Sequence, residues 1–559
     1  MSKPVQFRMA FIQGSPSLNA HITTMYHALA KWAVRFLLIA PMFTEGAAAQ
    51  PGTGCGTHHD SVPGNRAASC GEQSFAFENK YRRKETWVTD PATTPIRTLH
   101  VNLIFWRFAD GTGSYADTPA NLLRMDSVFY FVDRNYRRNV ALDHVLGYPV
   151  PFIDSSRVRI ELDSVYFIDD PTPDTSLYWT NGSLSHNDLL DQYVSVNYPD
   201  RTRALNIHLT HLRPGITVDY GGYAQHGSIE TFYKTTPDMS GSAIHDWWLS
   251  THWTHEIGHT FDLKHTYDVS EQTCNTSNID FLWDLFDTTV VCTTPPCVGG
   301  VCLIPINTCN NILAGADANN TTALQMGIMN RSISMGNFWS QQSGAPDHMT
   351  GYGPAPFNVS TDETWDFPMK MYQDLVVRPG ATLTLTCEVQ FVPGAKLIVE
   401  PGARLIIDGA LLTNEAYHRT FWQGIEVHGT TGQHQYPATQ PDHQGLVELR
   451  NGAVIEHARE GVRLWEPGNY SSTGGVLIAQ DATFRNCRRA VEGMKYEGFA
   501  AHDPSIRLPN RTRFNRVHFV VDNDYRGGTD FDTHVSLWGM EGVNFVECTW
   551  ENLQSTLTE

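Results

Sequence analysis

The motif His255-Glu256-Ile257-Gly258-His259, followed six residues later by His265, constrains this chain more than any other feature. Two histidines at i and i+4 share one helical face a turn apart, so both imidazoles can reach a single metal ion. Glu256 cannot serve as a third ligand without distortion, and its useful role is general base toward a metal-bound water. A straight helix would carry His265 away from the metal, so the chain must turn between His259 and His265. With that turn, His255, His259 and His265 make three protein ligands of a tetrahedral Zn2+ site whose fourth position is water. The chain has 559 residues and 24 histidines. In such a chain His-Glu-x-x-His arises by chance in roughly 5% of cases, and with the third histidine in roughly 0.2%. His245 and His252 fall on the same helix, expected from about Ser242 through His259, and read as ordinary polar-face residues.

Around this helix the pattern is mixed α/β. Leu99–Trp106, Val158–Phe167 and Ala204–Leu212 read as strands, and Ala120–Tyr136 and Thr321–Ser334 as helices. The Gly-rich passage Tyr220–Gly227 precedes the motif helix. Residues 338–370 are rich in Gly, Pro, Ser and Asp and read as a connector. From Met371 the texture becomes repetitive. Arg378-Pro379-Gly380-Ala381, Val392-Pro393-Gly394-Ala395 and Glu400-Pro401-Gly402-Ala403 each precede an alternating strand, and Asn451-Gly452-Ala453 and Gln480-Asp481-Ala482 repeat the theme more loosely. Short β repeats punctuated by Gly and Asp signify a solenoid. The expected fold is an α/β domain bearing the His255–His265 motif at 93–337, followed by an all-β, right-handed parallel β-helix at 371–559. The last residues still read as a solenoid strand with no cap, so the chain is expected to be a fragment.

Near the N-terminus, Lys31 and Arg35 flank a short apolar run that ends in Ala47-Ala48-Ala49. That is the layout of a secretory signal peptide, assigned to residues 1–49, with Met25 as an alternative start. Residues 50–92 read as a prosegment or solvated leader with a processing site at Arg82-Arg83-Lys84. The net charge of −19 argues against non-specific nucleic-acid binding, which needs basic patches. No run reaches the roughly 18 apolar residues of a membrane span. A secreted or cell-surface location follows, and it permits disulfides. Cys274, Cys292, Cys297, Cys302 and Cys309 crowd one region with no fixed connectivity, Cys55 and Cys70 sit near the mature N-terminus, and Cys387, Cys487 and Cys548 read as buried thiols.

The segment His255–His265 resembles the extended zinc signature of the metzincin metallopeptidases, and within them the pappalysin (cytophagalysin-like) family. Leu205-Asn206-Ile207, Gly222-Tyr223-Ala224-Gln225, Thr266, Cys309-Asn310-Asn311-Ile312 and Leu324–Ser332 carry the narrower likeness, which covers roughly residues 95–335. The resemblance implies zinc-dependent hydrolysis of a protein or peptide substrate laid along the edge strand Gly222, Tyr223, Ala224 and Gln225. It leaves open whether Asp284 and Asp287 hold calcium or form an acidic solvent-facing loop, and it allows a prosegment cysteine (Cys55 or Cys70) on zinc, with a plain Cys55–Cys70 disulfide the preferred reading. The chain departs from the pattern at three places. Asp262 stands at the family's glycine, where Asp tolerates the left-handed conformation. Leu313 stands at the methionine beneath the metal, a mild apolar exchange. Gly315 stands at a tyrosine that helps stabilise the oxyanion, and loss of one such donor costs roughly 10²–10³ in rate. A second reading follows from these departures: a degenerate peptidase acting as a surface adhesin or glycan-binding module through its β-helix. The repeats show no convincing acidic pair for polysaccharide cleavage.

Overall fold

The computed structural model describes residues 80–555 apart from 108–110, 112–114, 143–150, 170–184, 212–221, 226–227, 234–242, 267–279, 281, 292–296, 299–300, 304–309, 314–318, 336–344 and 437–442. The expected signal peptide, Cys55 and Cys70 lie outside the described residues. The first sheet has six strands: β1 (Arg97–Arg107), β2 (Val158–Asp169), β3 (Leu205–His211), β4 (Gly222–Gln225) and β5 (Ser228–Tyr233), in the order β2-β1-β3-β5-β4, and the short strand Met349–Thr350, which pairs antiparallel with β1. β1 runs parallel to β2 and β3, and β3 runs parallel to β5. β4, at the edge, runs antiparallel to β5.

β1 is buried along almost its whole length because both of its faces are covered, which explains its near-continuous apolar run. Leu99, Val101, Leu103 and Phe105 point into the main core, while Ile104 and Trp106 meet Leu190 and Val194 on the other face. The helices are α1 (Pro119–Arg137), α2 (Ser185–Asn197), α3 (Ala243–Thr260) and α4 (Ala323–Met335). α1 begins at Thr118, whose hydroxyl accepts from the Asn121 N–H, with Pro119 in the first turn. α1 then braces α3. Asn135 donates to Thr254 Oγ1 at 3.1 Å, and Tyr136 donates to the Thr254 carbonyl at 2.7 Å.

Every residue of α4 is buried. One cause is the segment before β1, where the solvated leader expected for 50–92 does not hold from Lys80 onward. Tyr81 is buried against Trp87, Phe357, Trp365 and Phe367 and donates to Glu363 Oε2 at 2.7 Å. Lys84, expected in an exposed processing site, is 3% exposed. Its carbonyl approaches α4 so closely that a Cβ on Gly327 would lie 2.2 Å from the oxygen. Glycine at 327 is what permits this contact.

The parallel ladders begin at Gly353, inside the stretch expected as a connector. Strands Gly353–Val359, Gln373–Val377, Lys396–Val399, Trp422–Val427, Ala458–Arg463, Arg489–Gly493 and Thr533–Leu537 stack in chain order as one sheet, each pair parallel. A second, larger sheet stacks the intervening strands in parallel as well. This arrangement is consistent with a solenoid. The Pro-Gly-Ala repeats form tight turns between successive strands. The N–H groups of Ala381, Ala395 and Ala403 donate back three residues at 2.9–3.1 Å, around Gly380, Gly394 and Gly402 at φ +85°, +95° and +83°. That conformation is open to glycine and closed to most other residues. Leu383, Leu405 and Val447 stack from coil to coil in the interior.

Of the three later cysteines, Cys487 is the buried thiol expected, and burial pushes its pKa up to about 12. Cys548 is a half-exposed thiol instead, and Cys387 is buried but not free. In the cysteine-rich region, Cys297 and Cys302 sit opposite each other across a two-stranded antiparallel pairing. Cys274, Cys292 and Cys309 lie outside the described residues.

Gly327→Ala is expected to destabilise the fold by about 1–3 kcal/mol through overpacking against the Lys84 carbonyl. Thermal melting checks this, and an unchanged midpoint would show that the leader does not bear on α4.

Candidate metal centre

α3 ends just after the second histidine, and the manner of its ending builds the site. The Leu263 N–H donates to the Gly258 carbonyl at 3.1 Å, a closure of the helix C-terminus that requires a left-handed residue just before it. Asp262 fills that position at φ 68°. Aspartate thus does carry the turn for which glycine was expected. The reversal brings His265 back to the face that holds His255 and His259.

The three Nε2 atoms converge. They lie 3.2 Å apart for His255 and His259, 2.9 Å for His255 and His265, and 3.1 Å for His259 and His265. Two backbone carbonyls orient the rings. His255 Nδ1 meets the Ile312 oxygen at 2.9 Å, and His259 Nδ1 meets the Leu263 oxygen at 2.7 Å. A carbonyl can only accept, so each Nδ1 carries its proton and each Nε2 presents a lone pair inward. Burial, reinforced by the neighbouring imidazoles, holds the pKa of His255 well below the ordinary range and that of His265 at about 3. His255 and His259 therefore aim lone pairs at the point that His265 Nε2 also reaches, an arrangement suited to a bound cation. Zn–N bonds of about 2.0–2.1 Å in a tetrahedron place the nitrogens about 3.3 Å apart, close to the separations found. Among the described residues this trio is the cluster of potential ligands that could hold a metal ion.

Glu256 is buried beside the trio, and burial pushes its carboxyl up to about 8. A cation at the three histidines opposes that shift. The plain polar-face reading of His252 is too modest. Its side chain is largely buried, with Nε2 3.9 Å from Glu256 Oε1. The side chain of His245 lies outside the described residues.

The turn Asn310–Leu313 closes the site from below. Leu313 is fully buried, and a Cβ on Gly258 would meet its Cδ2 at 2.8 Å, so the leucine packs directly on the helix between the two histidines. It is an apolar support, as the sequence implied. Gly315 lies outside the described residues. The Ile312 and Leu263 carbonyls that orient the imidazoles were not legible in the sequence, since backbone acceptors carry no residue signature.

Other expected site residues lie apart from the trio. β4 is an edge strand and packs beside α3, as expected for Gly222, Tyr223, Ala224 and Gln225. The calcium expectation finds no support. Asp284 is fully buried, and its carboxylate accepts from the Leu324 N–H at 3.0 Å, at the start of α4. Burial pushes its pKa up to about 6. A buried carboxylate at a helix N-terminus is a structural cap rather than an open cation cage. Asp287 lies on the strand Phe286–Val291, and its side chain is not among those described.

Leu313→Met is expected to change stability by less than about 1.5 kcal/mol, and Leu313→Ala to cost about 2–5 kcal/mol. Chemical denaturation checks both, and equal effects would contradict the close packing of Leu313 on Gly258.

No curated protein matches the chain significantly. The family model Reprolysin_5, metallo-peptidase family M12, matches residues 124–296. That span runs from α1 through β4 and α3 and contains all three histidines and Glu256. Over this stretch the chain is similar to the M12 metallopeptidases, which makes the three-histidine cluster the candidate centre of a zinc-dependent protease.

Proposed function

We propose that this chain is a secreted, metzincin-type zinc endopeptidase with pappalysin-like features, carried on a right-handed parallel β-helix. The observation that carries the reading is the convergence of three imidazole Nε2 atoms, with Glu256 buried on the same helix turn. His255, His259 and His265 would hold the metal. Bound zinc supplies a Lewis acid that acidifies water and polarises a carbonyl.

The chain's own groups do the rest. Glu256 lies on the helix turn between the two histidines, and its carboxylate is proposed to act on water at the metal position. It accepts the proton of the attacking water and returns it to the departing amine, which completes peptide-bond hydrolysis. Its apolar surroundings raise its proton affinity, which suits it to hold a proton between the two steps. Among the described residues β4 is the edge strand beside α3, and an extended peptide is proposed to add to that edge by main-chain hydrogen bonds. This favours a protein or peptide substrate over a compact small molecule.

Glu256→Ala is expected to keep zinc and to lose casein or gelatin cleavage by about 10²–10⁴-fold. Metal analysis and a digestion assay on the same preparation check this. Undiminished cleavage by the variant, or cleavage by the native chain that persists under a zinc chelator, would overturn the reading.

A further inference from the structure

Arg331 is the least expected charge in the protein. It lies mid-way along α4 and is completely buried. A buried guanidinium requires counter-charges and acceptors. It finds them in three separate parts of the chain. Nη1 donates to Asp280 Oδ1 and to the Arg82 carbonyl, each at 2.8 Å. Nη2 lies 3.9 Å from Asp262 Oδ2. Asp262 is the left-handed residue of the turn between His259 and His265, at the position where the resembling family carries glycine. Its carboxylate is 8% exposed.

We infer that the Asp262–Arg331 ion pair positions the turn that delivers His265, which makes Arg331 a positioning residue for the metal centre. The inference rests on the reading of the three histidines as ligands. Glycine holds a left-handed turn because nothing in it resists that conformation. Aspartate carries a Cβ that favours other conformations, so a turn built on it benefits from an external tether. Arg331 provides one from α4, an element whose every residue is buried and which therefore serves as a fixed anchor. The backbone at Asp262 links the His259 carbonyl, which accepts from the Asp262 N–H at 2.9 Å, to Leu263, whose carbonyl orients the His259 ring. A turn that loosens at Asp262 therefore frees His265 and disorients His259 together. The same guanidinium grips the Arg82 carbonyl, so the segment before β1 shares the anchor.

Hydrogen exchange at the amides of Phe261–Thr266, measured on metal-free protein, tests the tether. Asp262→Asn removes the charge, tolerates the left-handed backbone and leaves Asp280 to balance Arg331. The expected result is exchange roughly tenfold faster across this turn in Asp262→Asn and in Arg331→Met. The double variant is expected to be no faster than Arg331→Met alone, because Arg331→Met already removes the one link that Asp262→Asn cuts. Leu397→Ala, a cavity in the parallel-strand region remote from the turn, lowers global stability and is expected to leave the turn's exchange unchanged. Exchange in Asp262→Asn equal to that of the native chain, or effects that multiply in the double variant, would overturn the inference. Zinc uptake by the native chain is measured separately, so failure of the metal reading shows as absent uptake and failure of the tether as unchanged exchange.

Discussion

Three imidazole Nε2 atoms meeting within about a hydrogen-bond length of one another are the feature on which the rest depends. Nitrogens that aim lone pairs at one buried point are best accommodated by a cation there. The protein commits to the arrangement twice over. It fixes the inward tautomer of His255 through the Ile312 carbonyl and that of His259 through the Leu263 carbonyl. It also holds His255 and His265 neutral by burial, so these rings do not escape by taking up protons. Such second-layer contacts tune and orient metal ligands.

The remainder of the domain holds this arrangement in place. α1 grips α3 through Asn135 and Tyr136 at Thr254, one residue before the first ligand. Leu313 fills the space beneath Gly258, where the lack of a side chain lets the turn Asn310–Leu313 come close enough for Ile312 to reach His255. α4, the segment from Lys80 and the first parallel strands enclose the same core. Tyr81 and Gly327 show how tightly the segment before β1 is built in. The peptidase-like region and the parallel-strand region are thus continuous in packing, with His100 of β1 stacked on Tyr417 at 4.1 Å.

The ligands and the helix that carries two of them were legible because their signature is local: spacing on a helix face and a forced turn. The Pro-Gly-Ala turns were legible for the same reason, since each needs one glycine at positive φ. What was not legible depends on distant partners. Lys80–Thr89 looked like solvated leader because Arg82, Arg83 and Lys84 are basic, yet Lys84 is buried by contacts with α4 some 240 positions away in the chain. Asp284 looked like a cation ligand because carboxylates bind calcium, yet it caps α4. His252 was read as a polar-face residue although its i,i+4 spacing already sets it beside Glu256, with Nε2 3.9 Å from Oε1. Arg331 gave no signal as a hub, since its partners come from three separate segments.

X-ray absorption at the zinc edge of the reconstituted protein tests the central claim most directly. The account predicts one zinc per chain surrounded by three imidazole nitrogens and a further light atom at about 2.0–2.1 Å. A first shell containing sulfur at about 2.3 Å, or one without the outer scattering of histidine rings, would contradict it.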